Sequence, residues 1–384
     1  MKYKLGNYVL QPKGYKAFIP ESLLKLDFKI NPEIQKLLLQ ADRALAKLDG
    51  ITITLPNPEL FIAMYVKKEA LLSSQIEGTQ ASLEGVLEFE ANLVPDESID
   101  DIKEVINYVN ALNYGIERLK TLPMSLRLIK EIHKILLTGA RGATKEPGEF
   151  RKSQNWIGPA GATLNEATFV PPPPHMVLDL MGDLEKFIYQ EDNMPHLIKI
   201  ALIHNQFEII HPFLDGNGRV GRLLITLYLY WKDLLTQPLL YLSFYLKKHR
   251  EKYYDLLMKS RTEGLLDEWI AFFLQGVYET SIEAIDTAKK IIELKEKILN
   301  KLYEDSISSI YAVKFLDILF KEPLIDINTV ISQLKIHKDT ANELIKKFNK
   351  IGILREITGK QRYRKYIFTD YLMIIKKGTE LIDN

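Results

Sequence analysis

The 384-residue chain contains no cysteine. Disulfide bridges, zinc sites built on thiolates and cysteine nucleophiles are therefore excluded from any account of its fold or chemistry. A cysteine-free composition fits a protein that works in a reducing compartment, so we expect a cytoplasmic location.

The chain also lacks an excess of charge of either sign and a long apolar run. Lysine and arginine number 51 against 50 aspartate and glutamate residues, a formal net charge of +1. Such a chain has no global attraction to nucleic acid or to membranes. The amino end, Met1–Tyr8, lacks the apolar core of a signal peptide, and the run Leu223–Trp231 is shorter than the roughly 18 residues that cross a bilayer. We expect no membrane association.

What is present is the balance of an ordinary globular protein, with 46% hydrophobic and 26% charged residues. The length suggests two or three domains. After an irregular start, apolar spacing predicts helices near 31–48, 58–77, 80–93, 124–138, 176–189 and 279–304. We predict four parts, namely an N-terminal helical region (1–110), a central core (111–285), a charged connector helix (286–304) and a C-terminal unit (305–384).

The most informative segment is 211–222, which packs a histidine, an aspartate, three glycines and two arginines into twelve positions. The glycines allow a tight turn with exposed N–H groups, and the apolar run from Leu223 predicts a helix that begins there. Arg219 and Arg222 lie three residues apart, so they share a helix face and can point at one anion. The segment therefore predicts a phosphate-binding helix N-terminus.

Two further side chains of this segment suit phosphate chemistry. Asp215 can hold a magnesium ion that bridges phosphate oxygens. His211 is the nearby group that can take a proton near neutral pH.

Three other interpretations compete. The spacing Gly216-x-Gly218-x-x-Gly221 matches a dinucleotide-binding fingerprint, but residues 196–210 before it have helical spacing where that fingerprint needs a strand. A P-loop requires a lysine and a hydroxyl that are missing here. A plain helix–loop–helix turn would leave the clustered charges without a purpose.

Segment 211–222 resembles the signature of the Fic family, His-x-Phe-x-Asp-Gly-Asn-Gly-Arg-x-x-Arg, and departs from it at no defined position. The resemblance implies a mainly α fold, a Fic-type helical bundle with a short β-hairpin flap. It implies transfer of AMP from ATP to a Tyr, Ser or Thr hydroxyl of a protein, with release of pyrophosphate. The cofactors implied are ATP, as substrate, and Mg²⁺, and the substrate implied is a protein, either a partner or the chain itself.

The resemblance also implies a role for each motif residue. His211 would deprotonate the attacking hydroxyl, and Asp215 would hold Mg²⁺ against the α- and β-phosphates. The residues implied to cradle and clamp the phosphates are Gly216, Asn217, Gly218, Arg219 and Arg222. These roles agree with the physics of phosphoryl-type transfer, which depends mostly on positioning and charge neutralisation.

A second constellation lies in 73–78. Ser73 and Glu77 are four residues apart and share a helix face, and Gly78 is a plausible stop signal. A carboxylate at a helix C-terminus is disfavoured by roughly 0.3–1 kcal/mol and gains from an arginine partner. The alternative is a capping box, because Ser74 and Glu77 also fit Ser-x-x-Glu at the start of a following helix.

Beside the Fic motif, Ser73 to Gly78 resembles the inhibitory segment of the family class with an N-terminal inhibitory helix. The resemblance implies that Glu77 pairs with Arg222, blocks the γ-phosphate subsite and keeps the resting enzyme weak. In some relatives this glutamate helps a water to remove AMP, so the resemblance leaves a reverse activity open.

Residues 147–174 form a third element. Gly158, Pro159 and Gly161 predict a loop and a short hairpin, and the proline run 171–174 then ends the strand and begins a helix. The segment resembles the Fic flap, which pairs with an extended part of the target by strand addition. The docking residues implied are Asn155, Trp156, Ile157 and Gly158. An ordinary surface hairpin is the alternative.

Downstream of the motif, Tyr253 and Tyr254 resemble the aromatic pair that other family members place beside the adenine. The alternative is that both rings belong to the core.

The last 80 residues predict three short helices, 309–320, 327–334 and 339–351, followed by β-rich runs at 353–357 and 363–368. That order is typical of a winged helix-turn-helix. Between 331 and 370 ten basic residues stand against four acidic ones, which makes duplex DNA a candidate partner. Protein docking and homodimerisation are equal alternatives, because fold alone does not decide.

Two other functions are alternatives to that of an adenylyltransferase. One is a DNA-binding transcriptional regulator with a Fic-derived sensor core, against which the intact set from His211 to Arg222 argues. The other is a Fic-type enzyme that transfers UMP, phosphocholine or a phosphate. Residues Asn217 to Arg219 favour ATP as an AMP donor, because the phosphate-transferring branch typically carries lysine there.

Overall fold

The computed structural model of the protein describes residues 2–54, 58–159 and 161–381. Met1, residue 160 of the predicted flap and the last three residues of the predicted C-terminal unit lie outside the described residues. In these ranges the chain is mainly helical, as the sequence predicts.

The helices are α1 (Pro32–Thr54), α2 (Glu59–Ile76), α3 (Leu83–Glu90), α4 (Ile99–Leu119), α5 (Leu126–Leu136), α6 (Val177–Tyr189), α7 (His196–Ile210), α8 (Asn217–Trp231), α9 (Ser243–Lys248), α10 (Arg250–Thr262), α11 (Leu266–Glu304), α12 (Ile310–Lys321), α13 (Ile327–Leu334), α14 (Lys338–Lys350) and α15 (Thr369–Ile375). The strands are β1 (Gly6–Leu10), β2 (Lys16–Pro20), β3 (Leu324–Asp326), β4 (Arg355–Glu356) and β5 (Lys365–Ile367). No helix of the described residues is both long and apolar enough to cross a membrane.

The expected irregular start is wrong, because β1 and β2 form an antiparallel hairpin with Gly6 opposite Pro20. Gly14, at φ +84°, closes the turn and donates its N–H to the carbonyl of Gln11 at 2.9 Å. The hairpin also supports the flap, since the N–H of Phe18 donates to the carbonyl of Val170 at 2.9 Å. Strands of five residues give too short an alternation for the sequence pattern to show.

Helix α7 lies at the centre of the bundle. Residues Leu197 to Ile210 are all buried, on every side of the helix. It packs against α8, α6 and α11, while α2 packs against α4 and α9. Gly115 of α4 meets Leu227 of α8, where a Cβ would lie 2.8 Å from the leucine. This close packing fixes α8, whose first turn carries the motif.

The predicted connector is the second half of a longer helix. Helix α11 is continuous across 285/286 and packs along α1. Its charged residues occupy one face, while Ile291, Ile298 and Leu302 on the other are buried. The boundary predicted at 110/111 similarly falls inside α4. A charge-rich sequence does not reveal that its apolar face has a partner.

The C-terminal unit contains the three predicted helices and the two predicted β-runs, shortened to β4 and β5. The unpredicted strand β3 completes an antiparallel sheet of order β3-β5-β4. Asp326 caps α13 by accepting a hydrogen bond from the N–H of Thr329 at 2.9 Å. The elements follow the expected order, and the assignment to the winged-helix class stays a prediction.

The segment after α15 returns to the end of α2. The side-chain amide of Gln75 donates to the carbonyl of Thr379 at 2.9 Å. Lys247 of α9 donates to Oε1 of Gln75 at 2.7 Å and to the carbonyl of Glu380. Gly378, at φ +81°, passes so close to Phe244 that a Cβ would lie 2.2 Å from its ring. We call residues 376–381 the tail; it holds the last turn of α2.

Replacing Gly378 by alanine is expected to lower the free energy of unfolding by about 2–4 kcal/mol, because a positive φ and a clash with a rigid ring add together. Gly359→Ala is the matched control, since Gly359 has φ +62° and nothing near its Cβ position. It should lose only about 1–2 kcal/mol. Urea denaturation measures both, and equal losses would contradict the close approach seen here.

Candidate active site

The motif forms the loop between α7 and α8. Helix α7 ends at His211, whose backbone is left-handed with φ 49°, and Pro212 cannot continue the helix. Gly216 precedes α8 with φ 75°, a conformation that glycine adopts without strain. These two turns place the His211 side chain and the N-terminus of α8 on the same side of the bundle.

Asn217 holds the loop closed. Its Nδ2 donates to the carbonyl of Phe213 at 2.8 Å, and its Oδ1 accepts from the N–H of Phe213 at 2.8 Å. Both polar atoms of Asn217 are thus used inside the loop, so here this side chain shapes the anion site. Because the Asn217 side chain is occupied, the backbone N–H groups of the first turn of α8, which have no partner within the helix, are the groups of the loop that can contact an anion.

Arg222 is buried and binds the end of α2. Its Nε donates to the hydroxyl of Ser73 at 2.8 Å, and its Nη2 donates to the Ser73 carbonyl at 2.9 Å and to Glu77 Oε1 at 2.7 Å. The structure therefore brings together the pair that the resemblance implied. Burial alone would lower the pKa of Arg222, but the carboxylate of Glu77 raises it above its usual value.

The carboxylate of Glu77 lies over the N-terminus of α8. A Cβ at Gly218 would lie 2.2 Å from Glu77 Oε1, so the missing side chain gives the carboxylate its space. Helix α2 ends just before Glu77, and Gly78 at φ +95° turns the chain away. A negative group at this position is stabilised by the helix dipole, so Glu77 stands where a phosphate would bind.

Arg219 faces the other side of the first turn of α8. Its guanidinium lies 3.4 Å from Glu104 and 3.6 Å from Asp215. Among the described residues, Nε of Arg219 and Nη1 of Arg222 are buried donors without a hydrogen-bond partner. A buried donor left unpaired costs roughly 1–3 kcal/mol, so both atoms suit contact with an anionic ligand.

His211 stands beside this anion site with 19% of its side chain exposed. Burial, together with the nearby guanidinium of Arg151, lowers the pKa of its imidazole to about 4. The ring is therefore neutral at pH 7 and able to accept a proton.

Asp215 offers one carboxylate to a metal. Its Oδ1 accepts from the N–H of Gly216 at 2.6 Å, and the side chain is 35% exposed. Within the described ranges no three His, Cys, Asp or Glu side chains are grouped as metal ligands. Mg²⁺ commonly binds through one or two carboxylates plus substrate phosphates, so a single aspartate beside a phosphate site fits this ion.

Two positioning residues were missed by sequence reasoning. Arg151 joins both arms of the flap to the motif, with Nε donating to the carbonyl of His211 at 2.9 Å and Nη2 to the carbonyl of Pro172 at 2.6 Å. His133 stacks on Phe213 with ring centroids 3.7 Å apart. A lone arginine and a lone histidine, each far from its partners in sequence, give no signal.

The flap lies against the motif loop and is closed by a single bridge. The N–H of Ile157 donates to the carbonyl of Phe169 at 2.8 Å, and the N–H of Phe169 returns a bond of 3.0 Å. Asn155 Nδ2 donates to the carbonyl of Phe213 at 2.9 Å. Trp156 and Ile157 are 43% and 39% exposed, and Gly158, also exposed, follows the bridge. Target docking at these residues stays a prediction.

The two tyrosines differ in their surroundings. Tyr253 is buried, and its hydroxyl lies 2.8 Å from Nε2 of His204. Tyr254 is 38% exposed. Its environment includes the charges of Glu77 and Arg222, and burial raises the pKa of its hydroxyl. Tyr254 is thus the ring with a free surface beside the anion site, and contact of either ring with adenine stays a prediction.

Comparison with known proteins agrees with this geometry. Residues 35–117 match the description "Fic/DOC family N-terminal", and residues 123–229 match "Fic/DOC family". The chain therefore contains one segment that matches each of these two descriptions.

Individual relatives show how far the likeness extends. A probable protein adenylyltransferase of Aquifex aeolicus is 29% identical over 224 residues, 57% of this chain and 61% of the relative. The protein adenylyltransferase Fic of Aedes aegypti is 32% identical over 186 residues, 47% of this chain but only 33% of the relative. A Fic family protein from Desulfovibrio desulfuricans G20 is 21% identical, with a TM-score of 0.59 over 89% of this chain and 97% of that one. This last likeness shows the fold.

The pairing of Glu77 with Arg222 predicts a pH dependence of stability. Burial acts to raise the pKa of Glu77, but the charge of Arg222 and its hydrogen bond leave it below 4.5. A lowered pKa contributes stability above the unfolded value that is lost as the pH falls through the folded one. The difference in free energy of unfolding between the native chain and Glu77→Gln should therefore be constant above about pH 5 and change below pH 4.5.

Urea denaturation from pH 7 to pH 3.5 checks this expectation. Ser73→Ala is the matched control, because it removes an acceptor of Arg222 but no titrating group. For Ser73→Ala the difference in free energy of unfolding from the native chain should not depend on pH. If the difference for Glu77→Gln is equally independent of pH, the ionised pair is contradicted.

Proposed function

We propose that the protein is an adenylyltransferase that moves AMP from ATP to a hydroxyl side chain of a protein. The observation that carries this proposal is a neutral imidazole beside an anion site that is already occupied by a carboxylate, with two unpaired guanidinium donors. The names of the curated relatives support it, although the chain spans 33–61% of the two described above.

The residues present suit the steps of that reaction. Nε2 of His211 takes the proton of the attacking hydroxyl, whose oxygen forms a bond to the α-phosphorus while the bond to the pyrophosphate oxygen breaks. The N–H groups at the start of α8 and the guanidinium groups of Arg219 and Arg222 stabilise the negative charge that moves onto the leaving pyrophosphate. Asn217 keeps the loop in the shape that aims these groups.

Asp215 is the residue that would hold Mg²⁺. The ion would neutralise phosphate charge and fix the geometry of the leaving group. Arg219, 3.6 Å from Oδ1 of Asp215, shares this carboxylate. Asp215 would therefore contact both Mg²⁺ and the guanidinium of Arg219, the two groups that balance phosphate charge.

We propose that Glu77 inhibits the enzyme by occupying Arg222. A carboxylate and a γ-phosphate cannot both bind the same guanidinium face over Gly218, because the carboxylate fills the space there. Productive binding of ATP requires Glu77 to leave. Its side chain is 32% exposed, so it has open solvent to move into. We propose as a second role, in the reverse reaction, that the same carboxylate orients a water for removal of AMP.

Glu77→Gly is expected to raise transfer of label from [α-³²P]ATP to protein by at least tenfold in the presence of Mg²⁺, because it frees Arg222. His211→Ala in the Glu77→Gly background should abolish the labelling, since no base remains. Labelling of protein bands on a denaturing gel measures both, on the chain itself and on added lysate.

The donor label separates this proposal from its competitors. Label that arrives from the γ-position shows phosphate transfer. Label from neither position with an intact fold contradicts ATP as the donor and leaves transfer of UMP or phosphocholine. Glu84→Gln, a surface variant near the tail, should leave the low basal labelling unchanged.

We propose the C-terminal unit as a docking module. Its exposed basic side chains include Lys346 and Lys347 on α14 and Arg362 and Arg364 in the loop before β5. If duplex DNA is the partner, full-length protein should retard it at low salt, and the shift should fall steeply between 50 and 200 mM salt. Lys346→Ala with Lys347→Ala should weaken that shift. No shift at low salt leaves protein docking or homodimerisation as the role of this unit.

A further inference from the structure

A second carboxyl group lies beside the base and has no role in the reaction as described above. Glu208 sits one helical turn before His211 on α7, and its Oε2 is 3.8 Å from Nδ1 of His211. Glu208 is 7% exposed, and its Oε1 has no hydrogen-bond partner among the described residues. Among the described residues Nδ1 of His211 is likewise buried with no partner in full hydrogen-bond geometry, while the backbone carbonyl of Glu208 lies near enough to the imidazole to raise its pKa. A movement of about 1 Å would bring these atoms to hydrogen-bond distance.

The carboxyl group of Glu208 fits between α7 and α8 because position 221 has no side chain. Gly221 of α8 faces Glu208, and a Cβ there would lie 2.5 Å from Oε1. Position 221 is not a defined position of the motif. A side chain at 221 would push Glu208 away from His211, so the glycine and the glutamate act as a pair across the α7–α8 interface.

His211 needs a negative neighbour when it takes a proton. Arg151 and Arg261 both lower the pKa of its imidazole, so an imidazolium there is disfavoured. Glu77 raises that pKa, but Glu77 must leave before ATP binds. Glu208 is held by α7 itself and remains in place. It is thus a carboxylate available to the imidazolium in the active state.

We propose that Glu208 is the positioning residue of His211: it holds the proton on Nδ1, leaves Nε2 free as the base and balances the imidazolium charge. This inference rests on the proposed function for its kinetic consequences. In the step, the hydroxyl proton passes to Nε2 while Nδ1 keeps its own proton toward Glu208, and the proton on Nε2 later returns to solvent.

The role requires Glu208 to be ionised, which makes it dependent on pH. Burial raises the pKa of Glu208 to about 7, with Glu77 raising it and Arg222 and Arg261 lowering it. The titrating groups that face it are His204 and His211 on α7, Arg222 on α8, Tyr253 and Arg261 on α10, and Glu77 at the end of α2.

Loss of Glu77 removes a negative charge and lowers the pKa of Glu208. Activity of Glu77→Gly should therefore rise with pH along an acid limb below pH 7.

The test compares Glu77→Gly with Glu77→Gly/Glu208→Gln. We expect kcat to fall by about tenfold, KM for ATP to stay unchanged and the acid limb to disappear. Glu69→Gln is the matched control, because Glu69 is a buried carboxyl whose pKa is also raised to about 7, but it bonds to Ser243 and Tyr108. Its variant should keep the limb. A Glu208→Gln protein that keeps the limb overturns the proposal.

A second measurement does not depend on activity. Imidazole ¹⁵N shifts at pH 8, with His211 assigned by comparison with His211→Ala, report which nitrogen carries the proton. In Glu77→Gly we expect the Nδ1–H tautomer, and in the double variant a mixture of tautomers. The same tautomer in both proteins overturns the positioning role. Absence of His211-dependent labelling in Glu77→Gly would instead defeat the proposed function and leave this readout intact.

If Glu208→Gln fails to fold, as judged by circular dichroism, Glu208→Asp takes its place. The shorter side chain keeps the charge but moves it away from Nδ1. A displaced acid limb with a lower kcat supports the proposal, and a profile identical to that of Glu77→Gly overturns it.

Discussion

The structure depends on the charge of one buried guanidinium group. Arg222 is 2% exposed and cannot lose its proton, so it must have an anion or strong acceptors at all times. In the resting chain these come from the end of α2, namely the hydroxyl and carbonyl of Ser73 and the carboxylate of Glu77. A phosphate is the other group of suitable charge. A carboxylate and a phosphate are thus alternative solutions of the same electrostatic requirement.

The base is held in place mainly through its backbone. His211 has a left-handed backbone, and its carbonyl accepts hydrogen bonds from Arg151 and, more weakly, from Asn155. Because both donors belong to the flap, the position of the base and the position of the target-facing segment are set together. His133 adds a third connection, since Nδ1 accepts from the N–H of Gly148 at the start of the flap and Nε2 lies 3.1 Å from the carbonyl of Asp215.

The sequence revealed the parts of this site that are close together in the chain. The motif from His211 to Arg222 is contiguous, so its turn and its helix were predictable. Glu77 was found through its helical spacing from Ser73 and its family resemblance. Arg151, His133 and Glu208 act through partners that the fold alone brings near, and single residues of these types have many other uses. The N-terminal hairpin and the apolar face of α11 were hidden for the same reason, since a short strand or a charged helix shows its partner only in three dimensions.

The hydrogen bond between the tail and Gln75 limits how Glu77 can move away from Arg222. Moving α2 as a rigid rod would break the bonds of Gln75 to Thr379 and to Lys247, and that of Arg250 Nε to the carbonyl of Ile76. Turning Glu77 about its own side-chain torsions breaks only its link to Arg222. Moving α2 therefore breaks several hydrogen bonds to other parts of the molecule, whereas rotating the Glu77 side chain breaks its bond to Arg222. Rotation of the carboxylate at the helix terminus therefore breaks fewer of the described hydrogen bonds than a movement of α2 does.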